Sequence, residues 1–145
     1  MSEIALQYIL NPPSRPLPNK ILLNGKEINE INFKINIAEK NSSIELIRNE
    51  ILTNCHEMFA ETSKIIEINF IDFDTSEVTD MSSMFMNCES LKSLDLSGFD
   101  ISNVVDMTKL FNKCKNLKTL DLSNFKTSKV KNLEKCSNFV ITLKF

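Results

Sequence analysis

The residue types best suited to nucleophilic or metal chemistry in this chain are four cysteines and one histidine. Cys55 and His56 are adjacent, but neighbouring side chains on a helix point about 100° apart and do not face each other. No third residue follows at a spacing that would orient a Cys–His pair for nucleophilic catalysis. We therefore expect a solvent-facing histidine, no catalytic residue and no enzyme activity.

The cysteine and acidic patterns do not indicate a metal site either. Cys88, Cys114 and Cys136 lack the C-x-x-C and Cys/His spacings of zinc sites. The segment DFDTSEVTD, residues 72–80, lacks the glycine and the final bidentate glutamate of a calcium loop. We expect no metal, no cofactor, and three free cysteines in one buried column. A disulfide between two neighbours in that column is the alternative.

An internal sequence repeat predicts which secondary-structure elements hold these residues. FDTSEVTDMSSMF, residues 73–85, and FDISNVVDMTKLF, residues 99–111, begin 26 residues apart and agree at seven of 13 positions. A fixed period of this length is typical of stacked repeats, in which each unit buries its apolar face against its neighbours. The same interval relates three phenylalanines expected to point into the core: Phe73, Phe99 and Phe125.

The first half of each repeat is predicted to be a helix. Between Val78 and Leu91 the apolar residues recur at steps of three and four, the spacing of one helical face. An Asn or Asp precedes this run in each repeat, and its side-chain oxygen can accept from the amides of a first helical turn. The predicted N-caps are Asn54, Asp80, Asp106 and Asn132.

The second half of each repeat is predicted to be a strand. LKSLDL at residues 91–96 and LKTLDL at 117–122 read L-x-x-L-x-L, and IIEINF at 65–70 has the same spacing. Strands one period apart run parallel, so the predicted fold class is α/β: a short solenoid with parallel strands on one face and helices on the other. The residues between the apolar positions face outward and are candidate partner-binding residues: Ile66, Glu67, Asn69, Lys92, Ser93, Asp95, Lys118, Thr119 and Asp121.

Like charges lie side by side on this outward surface. Asp95 and Asp121 occupy equivalent positions on adjacent strands, an arrangement that destabilises a sheet unless another charge offsets it. Two explanations remain open. Either Lys92 and Lys118 offset the carboxylates diagonally, or the polar surface recognises a partner, as the strand faces of solenoids commonly do.

The ends of the repeat array are predicted to differ from its middle. Asn132 and Cys136 are four residues apart where Asp106 and Cys114 are eight apart, so we expect a shortened last repeat closed by FVITLKF. At the other end, Asn24-Gly25 between apolar segments predicts a hairpin. The expected domains are a Pro-rich extended arm at 1–19, a β-rich cap at 20–50 and about 3.5 repeats at 51–145.

The repeats resemble a known family. EVTDMSSMFMNCESLKSLDLSGFDISNV and NVVDMTKLFNKCKNLKTLDLSNFKTSKV are similar to the BspA-like leucine-rich repeat, over about residues 51–131 closely and the last repeat loosely. The resemblance implies a curved leucine-rich-repeat solenoid and a non-enzymatic binding role. The family is typical of bacterial surface proteins, several of which are thought to mediate adhesion.

Composition argues against binding of nucleic acid and against insertion into a membrane. A net charge of −2 with mixed signs provides no basic field for nucleic acid, and no apolar run reaches the roughly 18 residues of a membrane span. The chain is expected to be cytoplasmic by default, or at the surface if a leader is missing. We expect a protein–protein interaction module that binds through its strand face. The alternatives are a structural subunit of a larger assembly, docked by its arm and terminal repeats, and a surface adhesin or a fragment of one.

Overall fold

The computed structural model describes residues 20–27, 42–47, 52–136 and 142–144. The strands in these ranges are β1 Lys20–Leu23, β2 Lys26–Glu27, β3 Ser42–Ile47, β4 Ile65–Ile71, β5 Ser93–Leu94, β6 Thr119–Asp121 and β7 Thr142–Lys144. One sheet has the order β2-β1-β3-β4-β5, and β6 and β7 form a second. β4 pairs with β5 and β6 with β7 in parallel, which is the direction that the repeat period predicts.

The predicted hairpin at Asn24-Gly25 is confirmed. Strands β1 and β2 pair antiparallel on either side of it, and Asn24 and Gly25 have φ angles of 51° and 74°. Two successive residues with positive φ match the right-handed twist of a two-residue hairpin, for which Asn-Gly is favoured. Strand β3 then pairs antiparallel with β1 and parallel with β4, so these strands extend the sheet of the repeats. The predicted arm at 1–19, and residues 28–41 and 48–50 of the predicted cap, lie outside the described residues.

The predicted helices are wrong. Within the described ranges there is no α-helix, and the helical geometry is limited to a 3-10 segment at Thr127–Lys129. The runs expected to be helical form consecutive tight turns at residues 55–62, 81–88 and 107–114, which we call the turn ribbons. The chain is therefore not an α/β solenoid with helices on one face. Its repeats stack short strands and turn ribbons.

The hydrogen bonds of the turn ribbons explain why no helix forms. In an α-helix every amide beyond the first turn donates four residues back. Here every second amide donates to a carbonyl of the next repeat and not to its own segment. Ser83 N, for example, donates to the Thr108 carbonyl at 2.8 Å. The amides between them close tight turns, as Met84 N does on the Met81 carbonyl at 3.2 Å. Both sets of donors are satisfied, and half of them hold one repeat against the next.

The backbone angles follow from this pattern. Every fourth residue of a turn ribbon adopts the left-handed conformation, which ends an α-helix of L-residues. These residues, with φ between 52° and 66°, are Glu57, Glu61, Ser83, Asn87, Lys109 and Lys113. A four-residue repeat of turns and a 3.6-residue helix differ by only about one residue over two turns. The spacing of the apolar residues alone therefore does not distinguish a turn ribbon from a helix.

Replacement of a left-handed residue by glycine tests the turn ribbon directly. In a helix Lys109→Gly would cost about 1 kcal/mol. At φ 57° the same change relieves backbone strain and offsets the added freedom of the unfolded chain, so we expect a change between zero and about +1 kcal/mol in stability. Chemical denaturation would measure it. Lys118→Gly, at an exposed position without positive φ, is the control and should destabilise by about 0.5–1 kcal/mol. Equal losses in the two variants would contradict the turn-ribbon conformation.

The predicted N-caps begin turn ribbons instead of helices. Asn54, Asp80, Asp106 and Asn132 form a column of parallel β-bridges, one per repeat. The side-chain oxygens of Asn54, Asp80 and Asp106 each accept from the amide two residues later, at 2.7, 2.8 and 2.8 Å. An oxygen acceptor is needed at this position, as expected, but it closes an Asx turn.

The core consists of columns of equivalent residues. Phe59, Phe85 and Phe111 are fully buried and stack with centroid separations of 5.4 and 5.6 Å and nearly parallel rings. Phe73 and Phe99 form a second stack at 5.6 Å, and Phe125 is buried at the equivalent position. The same ring at the same position of each repeat lets successive repeats pack in the same way.

The three cysteines predicted to share one column occupy two. Cys88 and Cys114 are buried, and their thiols donate to the carbonyls of Phe59 and Phe85 at 3.1 and 3.0 Å. Cys136, predicted to join them, instead accepts from Phe111 N exactly as Leu110 accepts from Phe85 N, so it belongs to the column of Leu110. The 26-residue register therefore continues through Cys136. The last repeat is shortened only after Cys136, since Leu120 pairs with Leu143, which follows it by less than the 26-residue period.

Candidate functional site

The residues with nucleophilic character do not form a site in the structure. Cys55 is fully buried, whereas His56 is exposed and its Nδ1 lies 2.7 Å from the Ser82 hydroxyl. A hydrogen bond with Cys88 and burial raise the pKa of Cys114, and burial raises the pKa of Cys136 to about 11. These two thiols are therefore protonated at neutral pH and are poor nucleophiles. Across the described residues no three potential metal ligands come together, the acidic segment 72–80 included.

The nine predicted partner-binding residues lie between the buried positions of the strand segments in three successive repeats, and we call them the strand surface. Ile66, Glu67 and Asn69 are half-buried, and the other six are exposed: Lys92, Ser93, Asp95, Lys118, Thr119 and Asp121. Parallel pairing places Glu67 directly beside Ser93. The residues from 66–69 and 92–95 therefore lie on one sheet, whereas those from 118–121 belong to the second sheet.

The predicted diagonal pairing of lysines with aspartates is absent. Neither Lys92 nor Lys118 forms an ion pair with a carboxylate among the described residues. Lys118 instead donates to the carbonyl of Lys115 at 3.1 Å. Asp95 is occupied locally, since its carboxylate accepts from the Ser97 amide at 2.9 Å. Neither lysine of the strand surface is therefore paired with a carboxylate of the described residues.

Some polar side chains elsewhere on the stack join neighbouring repeats. Lys115 Nζ lies 2.7 Å from Glu89 Oε1, and Lys129 Nζ lies 2.6 Å from Asn103 Oδ1, each pair being one period apart. Among the described residues, the side chains of Lys92, Ser93 and Thr119 make no hydrogen bond or ion pair. These three side chains of the strand surface therefore take no part in joining the repeats.

A groove of about 400 Å³ lies at the carboxyl ends of β4 and β5, and we call it the acidic groove. Phe70, Phe73 and Phe99 line it with their rings, and Phe70 is the half-buried member of this cluster. Its polar lining comes from four side chains, none of them cationic: Asn69, Asp72, Asp95 and Ser97. A shallower depression of about 270 Å³ continues from Asp95 and Ser97 past Asp121.

Sequence reasoning identified Asn69 and Asp95 but missed the rest of this groove. The available signal was Phe70, which stands where the later repeats have Leu96 and Leu122. Those leucines are almost fully buried, whereas the larger Phe70 is only half-buried, with its ring centroid 4.8 Å from that of Phe73 and 4.9 Å from that of Phe99. One substitution in the repeat thus creates an aromatic lining at the first groove.

Local hydrogen bonds favour the ionised form of several exposed carboxyls. The Ser97 amide and hydroxyl lower the pKa of Asp95, and Ser76 lowers that of Asp74 in the same way. Ser102 does so for Asp100. A carboxylate that accepts hydrogen bonds in its charged form has a lower pKa. Asp95 therefore presents a full negative charge to the acidic groove at neutral pH.

Comparison with known proteins places most of the chain in one family. Residues 29–142 match the family model described as "Mycoplasma protein of unknown function, DUF285". Searches of curated proteins and of solved structures found no match. Over the described ranges, no helix has the length and apolar character needed to cross a bilayer. Because the match covers well over half of the sequence, the chain belongs to the DUF285 family.

Proposed function

We propose that the protein is a non-enzymatic interaction module that binds a protein partner through the strand surface. The observation that carries this proposal is the row of exposed polar side chains along the strands. Lys92, Ser93 and Thr119 are exposed, have no side-chain partner within the described residues, and take no part in the side-chain pairs one period apart that join repeats elsewhere on the stack. Charged side chains without a structural role on a preformed surface are available for recognition.

The geometry of the surface supports a protein partner. Repeated strands present side chains in rows at a spacing of about 4.8 Å, so an extended segment of a partner can contact several repeats at once. The surface is polar and carries both signs of charge, as interface rims do, and charge complementarity would select the partner and its orientation. The buried, protonated thiols and the exposed His56 offer no competing catalytic arrangement.

Charge reversal on the strand surface tests the proposal. We expect the wild type, used as bait in native lysate, to capture a specific protein that a Lys92→Glu/Lys118→Glu variant no longer captures. Loss of two complementary charges should weaken binding by roughly tenfold or more. The variant removes no ion pair of the described residues and one exposed hydrogen bond, from Lys118 to the Lys115 carbonyl, so it should keep nearly the melting temperature of the wild type.

The matched control is Lys109→Glu/Lys113→Glu, which makes the same change in net charge on the turn ribbons. Both positions are exposed, and the first repeat already has Glu57 and Glu61 at the equivalent sites with the same left-handed backbone. This variant should retain the partner. Equal capture by both variants would refute binding through the strand surface, and equal loss would show that net charge alone governs capture.

A further inference from the structure

The acidic groove has the chemistry of a site for a guanidinium group. Two carboxylates, Asp72 and Asp95, lie on its polar side, and no cationic residue lines it. Half-buried Phe70 lies on its apolar side, with its ring packed against those of Phe59, Phe73, Phe85 and Phe99. A cation within about 6 Å of a ring centroid is attracted by the negative face of the ring, and arginine both stacks on rings and binds carboxylates through paired N–H groups.

Other occupants fit this groove less well. A metal ion needs several ligands, and no group of three carboxylate, imidazole or thiol side chains occurs among the described residues. An anion would meet two carboxylates, and the hydrogen bonds from Ser97 keep that of Asp95 ionised. An apolar side chain would contact the rings but would leave both carboxylates beside it without a counter-charge.

We propose that the acidic groove receives an arginine side chain from an extended segment of the protein partner. This inference rests on the proposed function, because Asn69 and Asp95 belong both to the strand surface and to the groove. It also orients the partner. Lys92 and Asp95 lie three residues apart along the second repeat, about 10 Å at the rise of a strand. The partner's arginine therefore lies toward the carboxyl ends of the strands and its acidic residues lie toward Lys92 and Lys118.

The test uses two peptides that differ only in charge. The first is acetyl-Ser-Gly-Arg-Gly-Ser-amide, and the second contains citrulline, the uncharged isostere, in place of arginine. Each is titrated into the ¹⁵N-labelled full chain and followed by amide chemical shifts. The arginine peptide should shift the amides of residues 69–73 and 95–99, and the citrulline peptide should not. Shifts confined to other residues, or equal shifts with both peptides, would overturn the proposal.

Substitution of the carboxylates provides the second arm. Asp72→Asn/Asp95→Asn should weaken the binding of the arginine peptide by roughly tenfold. Asparagine keeps the oxygen that accepts from Ser97 N and tolerates the left-handed conformation of Asp72, so the fold should persist. The control is Asp74→Asn/Asp100→Asn, which removes the same charge from two Asx turns outside the groove. If the control pair weakened peptide binding equally, the net charge of the protein would explain the effect, and the proposed arginine site would be refuted.

The two proposals fail in different ways. Loss of the lysate partner on Lys92→Glu/Lys118→Glu, together with unchanged capture by Asp72→Asn/Asp95→Asn, would leave the strand surface in place and refute the arginine site. Retention of the partner by the lysine variant would refute the proposed function. Binding of the arginine peptide in the groove without capture of any partner would identify a guanidinium site that does not serve protein recognition, and it would overturn the inference as stated.

Discussion

Phe85→Ala should lower the free energy of unfolding by about 3–5 kcal/mol. Phe85 is fully buried, and its ring stacks between those of Phe59 and Phe111 at 5.4 and 5.6 Å. The substitution removes both ring contacts, and the neighbouring repeats cannot close the cavity because their inter-repeat hydrogen bonds hold them at a set distance. Urea denaturation followed by circular dichroism would measure the loss.

Two further variants make this result interpretable. Ile71→Ala removes a large side chain that is 40% exposed at the end of β4, and it should cost far less. A loss of this size is a large share of the roughly 5–15 kcal/mol by which single domains are stable, and Phe85→Leu should give a smaller loss in a chain that still folds. A loss below about 1 kcal/mol in Phe85→Ala would contradict the aromatic stack as the centre of the core.

Met81→Ala should cost about 2–5 kcal/mol, and Leu133→Ala should cost less than about 1 kcal/mol. The two residues occupy the same position of the repeat in one column with Cys55 and Met107. Met81 is 1% exposed between its neighbours, whereas Leu133 is 49% exposed in the last repeat. In a stack of repeats a side chain is buried by the units on both sides of it.

The measurement is the same denaturation experiment on both variants, with Met107→Ala as a second internal member of the column. Met107 is also 1% exposed and should behave as Met81 does. Losses of similar size at Met81 and Leu133 would mean that the last repeat is covered as completely as the middle ones. That outcome would contradict the exposure of Leu133 in the structure.

Several features could be predicted from the sequence because they depend on the period alone. The 26-residue interval required equivalent residues to lie in columns, and Phe73, Phe99 and Phe125 are each buried at the same place in successive repeats. It also required strands from neighbouring repeats to run parallel, as β4 and β5 do. The hairpin was predictable for a local reason, since Asn24-Gly25 favours two successive positive φ angles.

The acidic groove was only half predictable. Asp95 was identified from the alternation of its strand, and Asn69 from the same rule. Asp72 and Phe70 were not, because the groove forms where the ends of two strands meet and because a larger ring replaces leucine in the first of them. Which residues line a depression between repeats depends on how far one repeat is offset from the next, and no local pattern records that offset.

The sequence by itself determined the period, the columns of the core, the parallel strands and the Asn or Asp that begins each repeat. Only the tertiary structure decided that the segments after Asp80 and Asp106 are turn ribbons. The apolar spacing suits a helix and a turn ribbon alike, and the choice depends on the acceptor of each amide. Ser83 N finds its acceptor on Thr108, in the next repeat, and this contact exists only once the repeats have stacked. The same stacking decides which of the cysteines share a column.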